Sequence, residues 1–182
     1  MAHRPIIARQ QFAASAQRIF DLFTQSAELS KWFCDAADSD AQAGGHIHAA
    51  WVDEDGEPWD RVGVWSDWDP PYRATLTWDD EEAPTDASSL LAITGSTPLV
   101  LHVDSQGTLA APPPAAAADY VKIAIADHPQ GCVLTVLCPV MQLDDVIRPD
   151  VMHDALQIGW AQTLQALADI VAQEVSLQEV AK

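Results

Sequence analysis

The sequence predicts an α+β fold in which a curved antiparallel β-sheet wraps around a long C-terminal α-helix. Three observations lead to it. Apolar residues recur at every second position through 46–78 and again through 120–140, the period of strands with one wet and one dry face. From Met152 to Val171 they recur instead at steps of three and four, the stripe of an amphipathic helix about six turns long. Two short helical stretches lie between the first strand and the rest.

The elements follow in order. Residues 5–12 (PIIARQQF) read as the first strand. Ser15 is placed as an N-cap before AQRIFDLFT, where Ile19, Phe20 and Phe23 fall at helical spacing. A second cap, Ser26, precedes AELSKWF, with Glu28 in the first turn, where the helix dipole favours an acid. Gly44-Gly45 breaks the chain, and the period then changes to two. In HIHAAWV, Ile47, Ala49 and Trp51 share one face, and His46, His48 and Ala50 the other. Asp55-Gly56 signals a hairpin turn into WDRVGVWSDW, which Pro70-Pro71 closes. In YRATLTW, Tyr72, Ala74, Leu76 and Trp78 alternate with polar residues.

Residues 79–119 open on Asp79-Asp80-Glu81-Glu82 and close on Pro112-Pro113-Pro114 and four alanines. Between them LLAIT and PLVLHV are two short β-like runs, so the segment reads as an added hairpin or flap tied in by stiff proline. Strand pairing resumes with YVKIAIAD, a turn at HPQG, and CVLTVLCPV. The last helix runs from about Pro149 to Gln173, with proline in its first turn and Asp150 and Asp154 suiting its dipole. A sheet with one dry face must cover that face, and the long helix is the element able to do so.

At 182 residues the chain fits a single domain, 1–182, able to bury roughly 70% of its unfolded surface without a disulfide or metal. Seven Trp point to a large core or a lined cavity. The 27 acidic residues outnumber nine basic ones, for a net charge of −18, and 15 of the acids lie between Asp35 and Asp86. Such a field repels phosphate backbones and anionic headgroups, so nucleic acid and membrane surfaces are not expected partners. A basic protein partner stays compatible with it, as does a plain solvated face. Cys34, Cys132 and Cys138 make no even framework, and the N-terminus lacks an apolar signal core, so a cytoplasmic location is expected.

Few constellations carry chemistry. His46 and His48 share a strand face but lie opposite Ile47, Ala49 and Trp51, and no third ligand stands nearby, so solvent-facing histidines are preferred to a metal site. The cysteines read as small buried hydrophobes. DEDGE contains part of a calcium-loop pattern, but Val62 occupies the position of the bidentate Glu. Nucleophile-elbow, zinc-protease, phosphate-loop and dinucleotide motifs do not occur. No cofactor is therefore called for.

The pieces FAASAQRIFDLFTQSAELSKWF, GGHIHAAW, DWDPPYRATLTW, GCVLTVL and IGWAQTLQALADIV, in this order, resemble the SRPBCC (START-like) superfamily, and within it the branch named after the activator of the heat-shock-protein-90 ATPase. Lys31-Trp32-Phe33, Gly44-Gly45 and Gly159-Trp160 are the most specific of the matching residues. The resemblance implies a helix-grip fold with an apolar cavity between sheet and C-terminal helix. Members carry lipids, polyketides or hormones, act as cyclases or aromatases, or serve as co-chaperones. A full co-chaperone of that type has a further N-terminal domain, for which 182 residues leave no room. The 79–119 insert also departs from the short loop usual there, which bears on the cavity mouth.

With that cavity as the expectation, the inward strand faces and the helix stripe nominate Ile47, Ala49, Trp51, Trp78, Leu134, Val136, Met152, Leu156 and Trp160 as ligand-lining, the alternative for each being plain core. Tyr72, Tyr120, His153 and Asp67 are the polar groups expected nearest, without a visible acid–base pair. The function expected is binding of a small hydrophobic ligand. The alternatives are a cyclase or hydrolase in the same cavity and a co-chaperone-like interaction module with an acidic docking face. A homodimer through the added strands is a further partner reading.

Overall fold

A computed structural model describes residues 5–52, 56–79, 120–139 and 149–180, apart from the side chains of 149–152, 155 and 178–180. The β-like runs expected within 79–119, any pairing through them, and the side chain of Met152 lie outside the described residues.

Seven strands form one antiparallel sheet: β1 (Ile6–Phe12), β2 (Ala36–Ser39), β3 (His46–Val52), β4 (Pro58–Asp69), β5 (Arg73–Trp78), β6 (Tyr120–His128) and β7 (Gly131–Cys138). Their spatial order is β1-β7-β6-β5-β4-β3-β2. The first two strands are therefore opposite edges, and α1 (Ala16–Thr24) and α2 (Ser26–Leu29) carry the chain from one to the other. The last helix, α3 (Pro149–Val180), runs beside β1.

Register follows from the dry face. In β3, Ile47, Ala49 and Trp51 are buried while His46 and His48 face solvent. In β7, Cys132, Leu134, Val136 and Cys138 are fully buried and lie opposite Phe12, Gln10, Ala8 and Ile6. A one-residue slip would expose this whole set, so the pairing is strongly specified. On α3, Leu156, Trp160, Thr163, Leu164, Leu167 and Val171 are buried, the stripe read from the sequence.

Four local expectations differ from the structure. Ser15 caps α1, its hydroxyl accepting the Arg18 N–H at 3.3 Å, but Ser26 is the first residue of α2 rather than its cap. The α2 helix is one turn, followed by a turn through Lys31–Phe33. β2 had no apolar pattern to announce it, and Tyr72 is exposed instead of continuing the dry face of β5. The α3 helix also runs on to Val180, beyond the expected end near Gln173.

Two glycine sites are enforced by geometry. At the β2–β3 turn Gly44 has φ +75°, and a Cβ on Gly45 would stand 1.9 Å from the Asp40 carbonyl oxygen. On the inner face of β4, a Cβ on Gly63 would come within 2.8 Å of the Leu76 side chain. Gly63 thus lets Leu76 and Trp78 lie flat against β4.

Candidate functional site

The inner face of β3–β5 and the α1–α2 segment carry an aromatic assembly of two networks, one running from Phe23 through Trp32 and Phe33 to Trp51, Trp59 and Trp78, the other joining Phe20, Trp68 and Trp65. Phe33 meets Trp51 edge-on at 5.2 Å, and Trp51 stacks on Trp59 at 4.1 Å. Phe23 packs on Trp32 at 4.8 Å and Trp68 on Phe20 at 5.1 Å. The side chain of Arg61 is fully buried on this face, its guanidinium 4.9 Å from the centre of the Trp78 ring, a cation–π arrangement.

Indole N–H groups organise the assembly. Trp32 donates to the Leu22 carbonyl at 2.8 Å, Trp51 to the Phe33 carbonyl at 2.8 Å, and Trp65 to the Ser39 hydroxyl at 3.0 Å. Each ties the α1–α2–β2 segment to itself or to the sheet, which is how tryptophan becomes an oriented core residue. The Trp160 N–H is buried without a hydrogen-bond partner. It lies beside the Cys138 thiol, the one group among the described residues that it can reach as a weak donor, and there it offsets part of the rise that burial causes.

A cavity opens beside this assembly. Phe23 of α1, Leu29 of α2, Trp32 and Phe33 of the following turn, Trp65 of β4, Leu76 of β5, Val121 and Ile123 of β6 and Trp160 of α3 line it. Counted out to its open mouth it encloses about 340 Å³, but only about 20 Å³ admits the centre of a water molecule. That is room for about one water. The lining is apolar throughout, and five of its nine residues are aromatic.

Of the residues nominated from sequence, Trp160 lines this cavity. Ile47, Ala49, Leu134, Val136 and Leu156 are packed in the core, while Trp51 and Trp78 belong to the aromatic assembly. The other eight lining residues were not nominated. Trp32 and Phe33 had a signal, standing in the Lys-Trp-Phe piece, but nothing in their spacing separates lining a void from filling one.

The polar candidates stand elsewhere. Tyr72 is exposed and donates to Asp127 at 3.3 Å, and the nearby negative charge of Asp127 raises its phenol pKa. Asp67 pairs with Lys122 at 2.8 Å, whose hydrogen bond holds the carboxyl below its ordinary range. His153 lies against Asp154 at 3.3 Å, and Tyr120 begins β6. His48 pairs with Asp60 at 2.5 Å on the outer face of the sheet. Among the described residues no group of three or more His, Cys, Asp or Glu is placed to hold a metal ion.

All three cysteines are free and buried. Burial, aided by the charge of Asp35, pushes the Cys34 thiol up to about 12, and burial takes Cys132 and Cys138 to about 11. Such thiols stay protonated at neutral pH and make poor nucleophiles.

The profile of the family described as "Activator of Hsp90 ATPase homolog 1-like protein" matches residues 13–172. The chain belongs to this family. No curated protein matches it significantly. Solved structures similar to this Hsp90-ATPase-activator-like chain include MLL2253 from Mesorhizobium loti, at 14% identity and TM-score 0.58, covering 93% of this chain and 98% of that one. ChR145 from Cytophaga hutchinsonii is similar at 11% identity and TM-score 0.62, with 97% and 99% covered. CalU16 from Micromonospora echinospora is similar at 18% identity and TM-score 0.55, with 96% and 80% covered. At these identities the likeness is one of fold, the helix-grip architecture. No helix among the described residues is long and apolar enough to cross a membrane.

Proposed function

We propose that this Hsp90-ATPase-activator-like domain binds a small hydrophobic molecule between its sheet, α1–α2 and α3. The observation that carries the reading is the cavity lining: nine apolar side chains from six elements and the α2–β2 turn, converging on one space. A concave, apolar, aromatic-rich site is the usual form of a small-molecule pocket. Burying ~200 Å² of apolar ligand surface at about 25 cal/mol per Å² offers roughly 5 kcal/mol before the costs of association. No lining residue has a titratable side chain, and we assign the cavity no reaction.

The test is mass spectrometry of small molecules released from protein purified from its native host, beside a Trp160→Ala control. A stoichiometric apolar compound from the wild type alone is the expected result. A well-folded wild type that releases none, and that takes up no added toluene, would overturn the reading.

A further inference from the structure

A cavity with room for about one water admits a larger guest only if part of its lining moves. The lining elements differ in how they are held. Strands β4, β5 and β6 are interior to the sheet, each paired on both sides. The α3 helix spans 32 residues and buries a full apolar stripe. The α2 helix is a single turn, far shorter than a helix that sustains itself.

Side chains hold much of that turn in place. Ser26 Oγ accepts the Ser39 N–H at 2.8 Å and Ser30 Oγ accepts the Ala37 N–H at 3.1 Å, both on the edge strand β2. The Trp32 indole donates to Leu22. The Glu28 carboxylate lies between Lys31 at 2.7 Å and Arg18 at 2.9 Å. Arg18 also reaches Glu174 near the end of α3 at 3.0 Å, so one guanidinium joins α1, α2 and α3. The segment is bounded by Gln25, which is extended, and by Asp35, whose N–H donates to Ala50 of β3.

We propose that Ser26–Phe33 is the lid of the cavity and that Arg18, bridging Glu28 and Glu174, is its latch. In the closed form seen here the lid puts Leu29, Trp32 and Phe33 into the lining with at most 7% of each exposed. Opening withdraws Leu29, Trp32 and Phe33 from their aromatic neighbours and breaks the Trp51–Phe33 hydrogen bond and the partly exposed Arg18–Glu28 ion pair, while leaving the sheet ladder intact. Local openings of this kind lie well below the free energy of global unfolding. This deepens the ligand-binding reading, but the motion can be measured without a ligand.

Hydrogen exchange followed by NMR tests it on the full chain, with the Trp32 indole N–H reporting the lid and the amides of β6 and β7 as the ruler. In the wild type the Trp32 N–H should exchange at least about tenfold faster than the ruler. Arg18→Met, and independently Glu174→Gln, which leaves Arg18 in place, should speed the Trp32 N–H about fivefold further without moving the ruler equally. A merely structural Arg18 would accelerate both classes together, and that result would overturn the latch. Equal exchange of Trp32 and the strands in the wild type would overturn the lid. Toluene uptake by the same samples separates the two readings. Faster uptake in Arg18→Met supports both, and unchanged uptake kinetics overturns the latch. Lid exchange as expected with no toluene bound would sink the ligand-binding reading and leave the lid standing.

Discussion

Gln157 of α3 and Ile7 of β1 exchange two hydrogen bonds: the Ile7 N–H donates to Gln157 Oε1 at 3.4 Å, and Gln157 Nε2 donates to the Ile7 carbonyl at 3.0 Å. A carboxamide carries the same donor and acceptor as a peptide, so Gln157 stands where a further strand would pair. At the opposite edge Ser26 and Ser30 do likewise for the amides of β2. Exposed edges invite association, and here helix side chains occupy part of each.

Replacing Gln157 by Ala should therefore lower stability by about 1 kcal/mol, the usual net worth of such hydrogen bonding. It should also raise self-association, because β1 regains a free edge. Urea unfolding measures the first and light scattering at increasing concentration the second. Unchanged values in both would mean that water replaces the carboxamide without loss.

Trp160 is 1% exposed and stands between cavity and core. Trp160→Ala should cost about 3–5 kcal/mol, the range for removing a buried large aromatic, and Trp160→Phe clearly less. Chemical denaturation of both variants gives the comparison. Equal costs would show that a phenyl ring recovers none of the indole's packing.

The thiols supply a pH prediction with a defined sign. Cys34, Cys132 and Cys138 have folded values raised to about 12, 11 and 11 from an ordinary 9.0. Above pH 9.0 the unfolded chain loses protons that the folded chain keeps, so stability should fall as pH rises from there. Substituting Cys34 by Ala should flatten that alkaline limb. At neutral pH a thiol reagent should label the folded chain slowly and label all three cysteines on unfolding.

Glu28 works in the opposite direction. Burial pushes its carboxyl up, but the hydrogen bonds from Lys31 and Arg18 outweigh that and hold it below the ordinary 4.5. The stability it contributes is complete above pH 4.5 and is lost as pH falls through its lowered folded value. Glu28→Gln should melt lower than the wild type at neutral pH, with the gap narrowing in acid. Thermal melts across that range decide it, and parallel curves would remove Glu28 from the acid response.

The main elements were legible because each had one dominant signal. Period two with large inward residues specified β3, β5, β6 and β7, turn signals on either side marked β4, whose Val62 and Val64 face outward while Arg61 and Gly63 face in, and a stripe from Leu156 to Val171 specified α3. Ser15 announced α1 through its cap. The strand Ala36–Ser39 was not legible, since its four residues bury little and are held by hydrogen bonds to Ser26 and Ser30. Ser26 misled for the same reason: its hydroxyl serves β2 instead of its own helix.

By itself, then, the sequence determined which face of β3, β5, β7 and α3 is dry, because alternation and helical spacing are local properties of the chain. Tertiary structure decided which of those dry residues meet a void. Leu134 and Leu156 are packed while Leu76, Val121 and Trp160 line the cavity, and only the placement of α1, α2 and α3 over the sheet separates them. It also decided the place of Arg61, whose charge argues for solvent while its strand parity puts it inward, over Trp78. Periodicity is written residue by residue, whereas a cavity is a shortfall between elements distant in the chain, and so it exists only once they have packed.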